Sequence, residues 1–266
     1  MDPMTVASST SAERVVRWVP PLIVLAFFSV TAAGYGVFRD ELYYFACARH
    51  LDWGYVDHPP MIAALAAIVR AVFGDSWLAA RWLSAVAAAG TVLLVGDTAR
   101  ELGGGRWARL LAQLLCATAP VYLALFSIFS MPQFFADMHG WRDLAEAVAK
   151  VAATLPADER REVCVYGGNY GEAGAIDFFR SALDLPPAIS GHNSYWLWGP
   201  GSCRGAVLLV IGGRAESHAR YFGRVEVGTV FRCAYCMPFE DNLTIWVVRV
   251  PTARIDTVWP ALKRFI

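Results

Sequence analysis

Two short motifs in the first third of the chain carry residue types suited to chemistry. Asp40 and Glu41 follow directly on the first long apolar run, and Asp57-His58-Pro59-Pro60 lies in the same interval. At helical spacing Asp40, Tyr44 and Cys47 share one face, which would set a carboxylate beside an aromatic platform. A carboxylate there can take the proton of an acceptor hydroxyl as that hydroxyl attacks an electrophilic carbon. The plainer use of the pair is a helix-capping Asp40 and a solvated Glu41. Pro59 and Pro60 bar a helix through that point and fix the chain direction. Asp57 and His58 would then be presented from a stiff turn, and a histidine facing acidic neighbours is a better site candidate than a lone one.

The elements that must position these residues divide the chain by composition. Of 266 residues, 56% are hydrophobic and 17% charged, where soluble domains carry about 25% charged. Residues 18–136 are dominated by uncharged runs, whereas residues 137–266 alternate charged and apolar stretches. The formal net charge of +0 offers no basic stripe for nucleic acid.

Three membrane spans are expected. Trp18 to Phe38 is free of charge and of spanning length, with Pro20 and Pro21 expected in its first turn. A cleaved signal peptide, with Thr31-Ala32-Ala33 near the cut, is the competing reading. The second span runs through Leu83–Gly96, extended from Ser76 if Arg81 snorkels to the interface. The third, Leu110–Ala136, holds no charge but contains Pro120 and Pro132.

Arg14 and Arg17 precede the first span, the 39–81 loop leans acidic, and Arg100, Arg106 and Arg109 follow the second. These biases place residues 1–17 in the cytoplasm, with the 39–81 loop and the 137–266 domain outside.

The run RDELYYFACARHLDWGYVDHPP resembles the first outer loop of GT-C glycosyltransferases, in the branch of protein O-mannosyltransferases and the lipid A aminoarabinose transferase. The resemblance covers roughly residues 35–128. It implies sugar transfer, with inversion, from a polyprenyl-phosphate donor to a hydroxyl acceptor by an integral protein of the bacterial inner or plasma membrane. By the same resemblance Asp40 is the catalytic aspartate, Glu41 its partner, and His58-Pro59-Pro60 the second motif. His58, Asp57 and Tyr44 would then contact substrate, and a divalent metal could assist. Relatives have many more helices, and Pro132-Gln133-Phe134-Phe135-Ala136-Asp137-Met138 resembles the stretch opening their C-terminal domain. This implies an internal deletion near residues 127–132, so that a chain of three helices would need oligomerisation to work, or would be inactive.

In the C-terminal part the periodicities predict an α/β domain. A helix carries Leu144, Val148 and Val151, and strands cover Val163–Tyr166, Ala206–Ile211, Val225–Phe231 and Leu243–Val250. Further helices are expected from the glycine-rich turn at 167–174 through Phe179, over Glu216–Phe222 and over Ile255–Lys263. The glycine-rich turn could cradle a phosphate or simply be tight. The aromatic stretch from His192 to Trp198 could bind sugar or lie over the sheet. Cys233 and Cys236 read as a structural pair, with Cys164 and Cys203 scattered. Besides the transferase, a non-catalytic membrane-anchored protein that binds carbohydrate or a partner, and a redox protein built on Cys233 and Cys236, remain as alternatives.

Overall fold

The computed structural model describes residues 3–126 and 135–265. The inferred deletion point at 127–132, and residues 127–134 of the third apolar run, lie outside the described residues. The chain divides into two compact units: residues 1–36 with 76–132, and residues 37–75 with 133–266. The 39–81 loop is therefore not one piece, because residues up to Asp75 group with the C-terminal domain.

The first unit contains helices α1 (Pro3–Thr31), α4 (Trp77–Glu101) and α5 (Arg106–Phe126). Among the described residues, Ser11–Thr31 and Trp77–Glu101 are long and apolar enough to cross a membrane. Pro20 and Pro21 fall inside α1 and not in its first turn, because helical backbone already starts at Pro3. Each proline removes one backbone donor there.

The apolar run continues to Phe38, yet the helix stops at Thr31. Arg81 takes the carbonyls beyond it. Its guanidinium donates to the oxygens of Ala32 (2.7 Å), Tyr35 (3.2 Å) and Gly36 (2.6 Å), and it lies over the Tyr35 ring at 3.9 Å. Arg81 is only 8% exposed, so it does not snorkel; it satisfies orphan carbonyls at the end of α1.

At the other end of this unit, Asp97 accepts from Arg17 (2.8 Å) and Arg109 (3.2 Å), and buried Gln113 donates to the Arg17 carbonyl. A Cβ at Gly96 would collide with the Gln113 side chain. That glycine permits the close approach of α4 and α5.

The second unit is built on a five-stranded sheet of order β2-β1-β3-β5-β4, from β1 (Cys164–Tyr166), β2 (Ala188–Ile189), β3 (Val207–Ile211), β4 (Phe222–Phe231) and β5 (Leu243–Pro251). β2, β1 and β3 are parallel, while β5 and β4 join antiparallel. The expected helix over Glu216–Phe222 shrinks to a turn at Ala215–His218, because β4 begins at Phe222. The last helix is α-helical over Ile255–Val258 and 3-10 over Trp259–Leu262, where Pro260 cannot donate to the α ladder.

One sheet face is covered by α6 (Trp141–Thr154) and α8 (Tyr170–Leu183), with α7 (Ala157–Glu162) leading from α6 into β1. Leu144, Val148, Val165, Ile176, Leu209 and Ile245 are sealed there. On the other face Trp196 and Trp259 each donate their indole N–H to the other's carbonyl, at 3.1 and 3.0 Å.

The helices α2 (Arg39–Cys47) and α3 (Met61–Phe73) belong to this unit. Leu42 of α2 is wholly buried in the same core as Leu144 and Ile176. The approach is possible because α8 offers glycines at i and i+3. A Cβ at Gly174 would sit 3.2 Å from Leu42, and one at Gly171 would strike the stem of Arg39. The glycines that read as a phosphate turn thus also serve helix packing. α3 buries a small-residue face, Ala63, Ala66 and Val69, and leaves Met61, Ile68, Val72 and Phe73 exposed.

Two disulfides lie in this unit. Cys164–Cys203 joins β1 to the segment before its neighbour β3, so strand pairing brings together cysteines that look scattered in sequence. Cys233–Cys236 clips the turn after β4 and packs on Gly140, whose φ of +84° and missing Cβ leave room for both sulfurs.

Candidate active site on the α2 segment

The first turn of α2 holds both acidic residues, and the fold gives them different surroundings. Glu41 accepts from the Phe38 N–H at 2.8 Å and so caps its own helix. Asp40 is half-buried, and its Oδ1 accepts from the Tyr170 hydroxyl at 2.9 Å. Its Oδ2 has no partner among the described residues. Tyr170 begins α8, and its ring lies under the Arg39 guanidinium at 5.2 Å. Arg39 in turn pairs with buried Asp137 at 3.3 Å. Burial, with the Asp40 charge adding to it, holds the Tyr170 phenol well above its ordinary range, so it donates and does not ionise. Asp137 is raised by burial, against the opposing pull of Arg39.

The second motif meets α2 through Tyr43. Its hydroxyl donates to Asp57 Oδ1 (3.1 Å) and accepts from the Ser194 N–H (3.1 Å). Asn193 donates to the other Asp57 oxygen at 3.3 Å, and the Val56 N–H donates to Ser194 Oγ. Asp57 therefore has both oxygens engaged in docking its turn to the α/β domain. His58 is stacked on Tyr55 at 4.6 Å and edge-on to Tyr44 at 5.2 Å, with its Nε2 3.6 Å from the Cys47 sulfur. Tyr44, Cys47 and His58 do converge, whereas Asp40 is held on the Tyr170 side. Burial raises the Cys47 thiol, with Asp57 adding, so it is not a ready nucleophile.

Tyr170, Arg39, Asn193 and Asp137 were not read as site residues from sequence. The only signals were the glycine-rich turn that contains Tyr170 and the polar-aromatic run that contains Asn193.

The glycine-rich turn is filled from within. Glu172 accepts from the Gly168 N–H at 2.6 Å and from Asn169 Nδ2 at 3.0 Å, taking the amide a phosphate would need. Asn169 Nδ2 also donates to Glu240 at 2.9 Å, so one amide bridges two buried carboxyls. Burial raises both, Glu172 strongly and Glu240 to about 7. Nearby His192 is lowered to about 4 by burial and by Arg264 and Arg39; its Nδ1 accepts from the Tyr170 N–H.

A carboxyl whose folded pKa is raised binds protons more readily folded than unfolded. Its contribution is full below about 4.5 and is lost as pH rises through about 7. His192 opposes this below about 6.5. Thermal melts of Glu240→Gln and the native chain between pH 5 and 7.5 isolate the carboxyl. The native chain should lose up to about 1.4 kcal/mol per pH unit relative to the variant. Parallel pH profiles would mean that Glu240 does not carry the proton.

Among the described residues no group of three or more His, Cys, Asp and Glu is arranged to hold a metal ion. All four cysteines of the domain are in disulfides, which leaves none as zinc ligands.

These features define a chain with membrane-length helices that presents a partly free carboxylate from a helix docked on an α/β domain. Residues 57–136 match the family described as dolichyl-phosphate-mannose-protein mannosyltransferase. The matched region holds His58-Pro59-Pro60, α3, α4 and α5, and begins after Asp40 and Glu41. No curated protein and no solved structure matches the chain.

Proposed function

We propose that this chain is a membrane glycosyltransferase that moves a sugar from a polyprenyl-phosphate donor to a hydroxyl acceptor, with Asp40 as general base. The observation that supports it most is the state of Asp40: one oxygen held by Tyr170 and the other without a partner among the described residues. In the step, the acceptor hydroxyl forms a bond to the sugar's anomeric carbon from the face opposite the phosphate. Its proton passes to Asp40 Oδ2, and the anomeric C–O bond breaks with the electron pair leaving on the polyprenyl phosphate. Glu41 supports the step by fixing the helix start, and His58 with Tyr44 orients acceptor or phosphate. Asp57 acts by docking the His-Pro-Pro turn.

The topology we propose puts the N-terminus in the cytoplasm and the disulfide-bearing domain outside, with α5 as a third span. The two disulfides favour this side, since such bonds persist in oxidising compartments. The exposed apolar face of α3 suits a lipid boundary.

A second reading, a membrane-anchored binding protein without catalysis, is favoured by one observation. Glu41 and Asp57 are both engaged in holding structure. Proteoliposomes containing the purified chain, supplied with a labelled polyprenyl-phosphate sugar and membrane acceptors, separate the two. The transferase requires label to leave the lipid donor above the rate in empty liposomes; no excess transfer with either mannose- or aminoarabinose-type donors would leave the binding protein.

A further inference from the structure

A second concave site lies in the α/β unit, away from Asp40, where the end of α2 meets α8, β2 and α9 (Ser194–Trp198). It is a cavity of about 230 Å³, lined by Arg49, Asp177, Arg180, Tyr195, Trp198 and Ser202 among others. At roughly 30 Å³ per water it would hold about eight waters, the room of one sugar ring.

The acidic floor and Arg49 are mostly engaged with one another. Asp177 accepts from the Tyr195 hydroxyl at 2.9 Å and the Ala188 N–H at 3.3 Å. Arg49 donates to the Asp177 carbonyl at 2.9 Å and pairs with Asp75 at 2.7 Å, while its Nε is buried without a partner. Arg180 differs. Its Nε donates to the Leu185 carbonyl at 3.2 Å, which fixes the plane of the guanidinium. Its terminal nitrogens have no hydrogen-bond or ion-pair partner among the described residues, and the side chain is exposed at the cavity. A fixed guanidinium with two free donors matches the paired oxygens of a carboxylate or phosphate.

The opposite wall is aromatic, with Trp198 stacked on His50 at 4.3 Å and packed on Tyr195 at 4.7 Å. The Gly199-Pro200-Gly201-Ser202 turn forms the lip; both glycines have positive φ and open space where a Cβ would stand. Burial lowers the pKa of His50, so its ring adds no positive charge at neutral pH. Because Arg49 is paired with Asp75, the attraction for an anion comes from Arg180.

We infer that this cavity binds a single sugar unit carrying a carboxylate or phosphate, with Arg180 taking the anion and the Trp198 wall taking the ring. The site is separate from the proposed transfer chemistry and does not require it.

Titration of the full chain in detergent micelles with glucuronate, glucose 1-phosphate, glucose and inorganic phosphate, followed by calorimetry, tests this. Glucuronate or glucose 1-phosphate should bind at least tenfold more tightly than glucose and than inorganic phosphate. Whichever of the two is preferred identifies the anion. Arg180→Ala should lose at least tenfold for the anionic sugar while staying folded, with at most the small loss of melting temperature that the missing bond to the Leu185 carbonyl explains, and Arg180→Lys should recover only part of the binding loss. Equal binding of glucose and the anionic sugars, binding undiminished in Arg180→Ala, phosphate binding as tight as the sugars, or no binding by any probe would overturn the inference. A chain that binds glucuronate and transfers no sugar keeps this site and loses only the transferase.

Discussion

Replacing Asp40 with Asn is expected to lower sugar transfer by roughly 10²- to 10⁴-fold, the range that a positioned general base contributes. The loss should fall on turnover and leave donor binding nearly unchanged, because the carboxylate is needed when the acceptor proton moves. The substitution keeps an oxygen that can accept from the Tyr170 hydroxyl, and it keeps the size of the side chain. Folding should therefore be unaffected, and a melting curve beside the rate measurement shows whether the loss is chemical. A variant that unfolds would report on the helix start; one that folds and retains native transfer would remove Asp40 from the mechanism.

Tyr43→Ala should produce the largest structural effect. The side chain is almost fully buried, packs on Tyr170 at 4.7 Å, and holds both Asp57 and the Ser194 N–H. Removing a buried large aromatic costs about 3–5 kcal/mol. Here much of that cost falls on the docking of α2 and the Asp57-His58 turn, since Tyr43 is their shared contact with the domain. Amide exchange across 39–58 should accelerate by roughly 10²-fold or more, while β3 and β5 stay protected. Tyr43→Phe keeps the ring and loses the hydroxyl, leaving the Ser194 N–H unmatched, and should cost about 1–3 kcal/mol. Uniform loss of protection through the sheet would mean that the segment and the domain form one cooperative block.

Much of this architecture was legible in the sequence because it rests on periodicity. Strands β1, β3, β4 and β5 of the α/β domain and the helix carrying Leu144 and Val148 follow from apolar spacing, whereas the two-residue β2 leaves no such pattern. What was not legible depends on partners distant in the chain. Arg81 reads as a snorkelling residue until Ala32, Tyr35 and Gly36 are seen to lie around it. Pro20 and Pro21 read as a helix start because composition changes there, although the backbone was already helical. Cys164 and Cys203 meet only because β1 and β3 are neighbours.

The site divides in the same way. Asp40, Glu41, Asp57, His58 and Tyr44 could be picked by type and motif, but not their assignments. Glu41 caps α2 and Asp57 docks a turn, while one Asp40 oxygen has no partner among the described residues; each outcome depends on Phe38, Asn193 or Tyr170. The glycines at 171 and 174 have the clearest lesson. A glycine-rich strand-to-helix turn suggests a phosphate by composition, yet here Glu172 fills the turn and the two glycines make room for α2.

The most direct test of the account is to measure sugar transfer from a labelled polyprenyl-phosphate donor by Asp40→Asn and Asp57→Asn side by side with the native chain. If Asp40 is the base and Asp57 only docks the turn, Asp40→Asn should be reduced at least 10²-fold. Asp57→Asn should keep at least about a tenth of native transfer, since Asn can still accept from Tyr43, at a loss near 1 kcal/mol. Abolished transfer in Asp57→Asn with Asp40→Asn near native would contradict the account and move the base to the His-Pro-Pro turn.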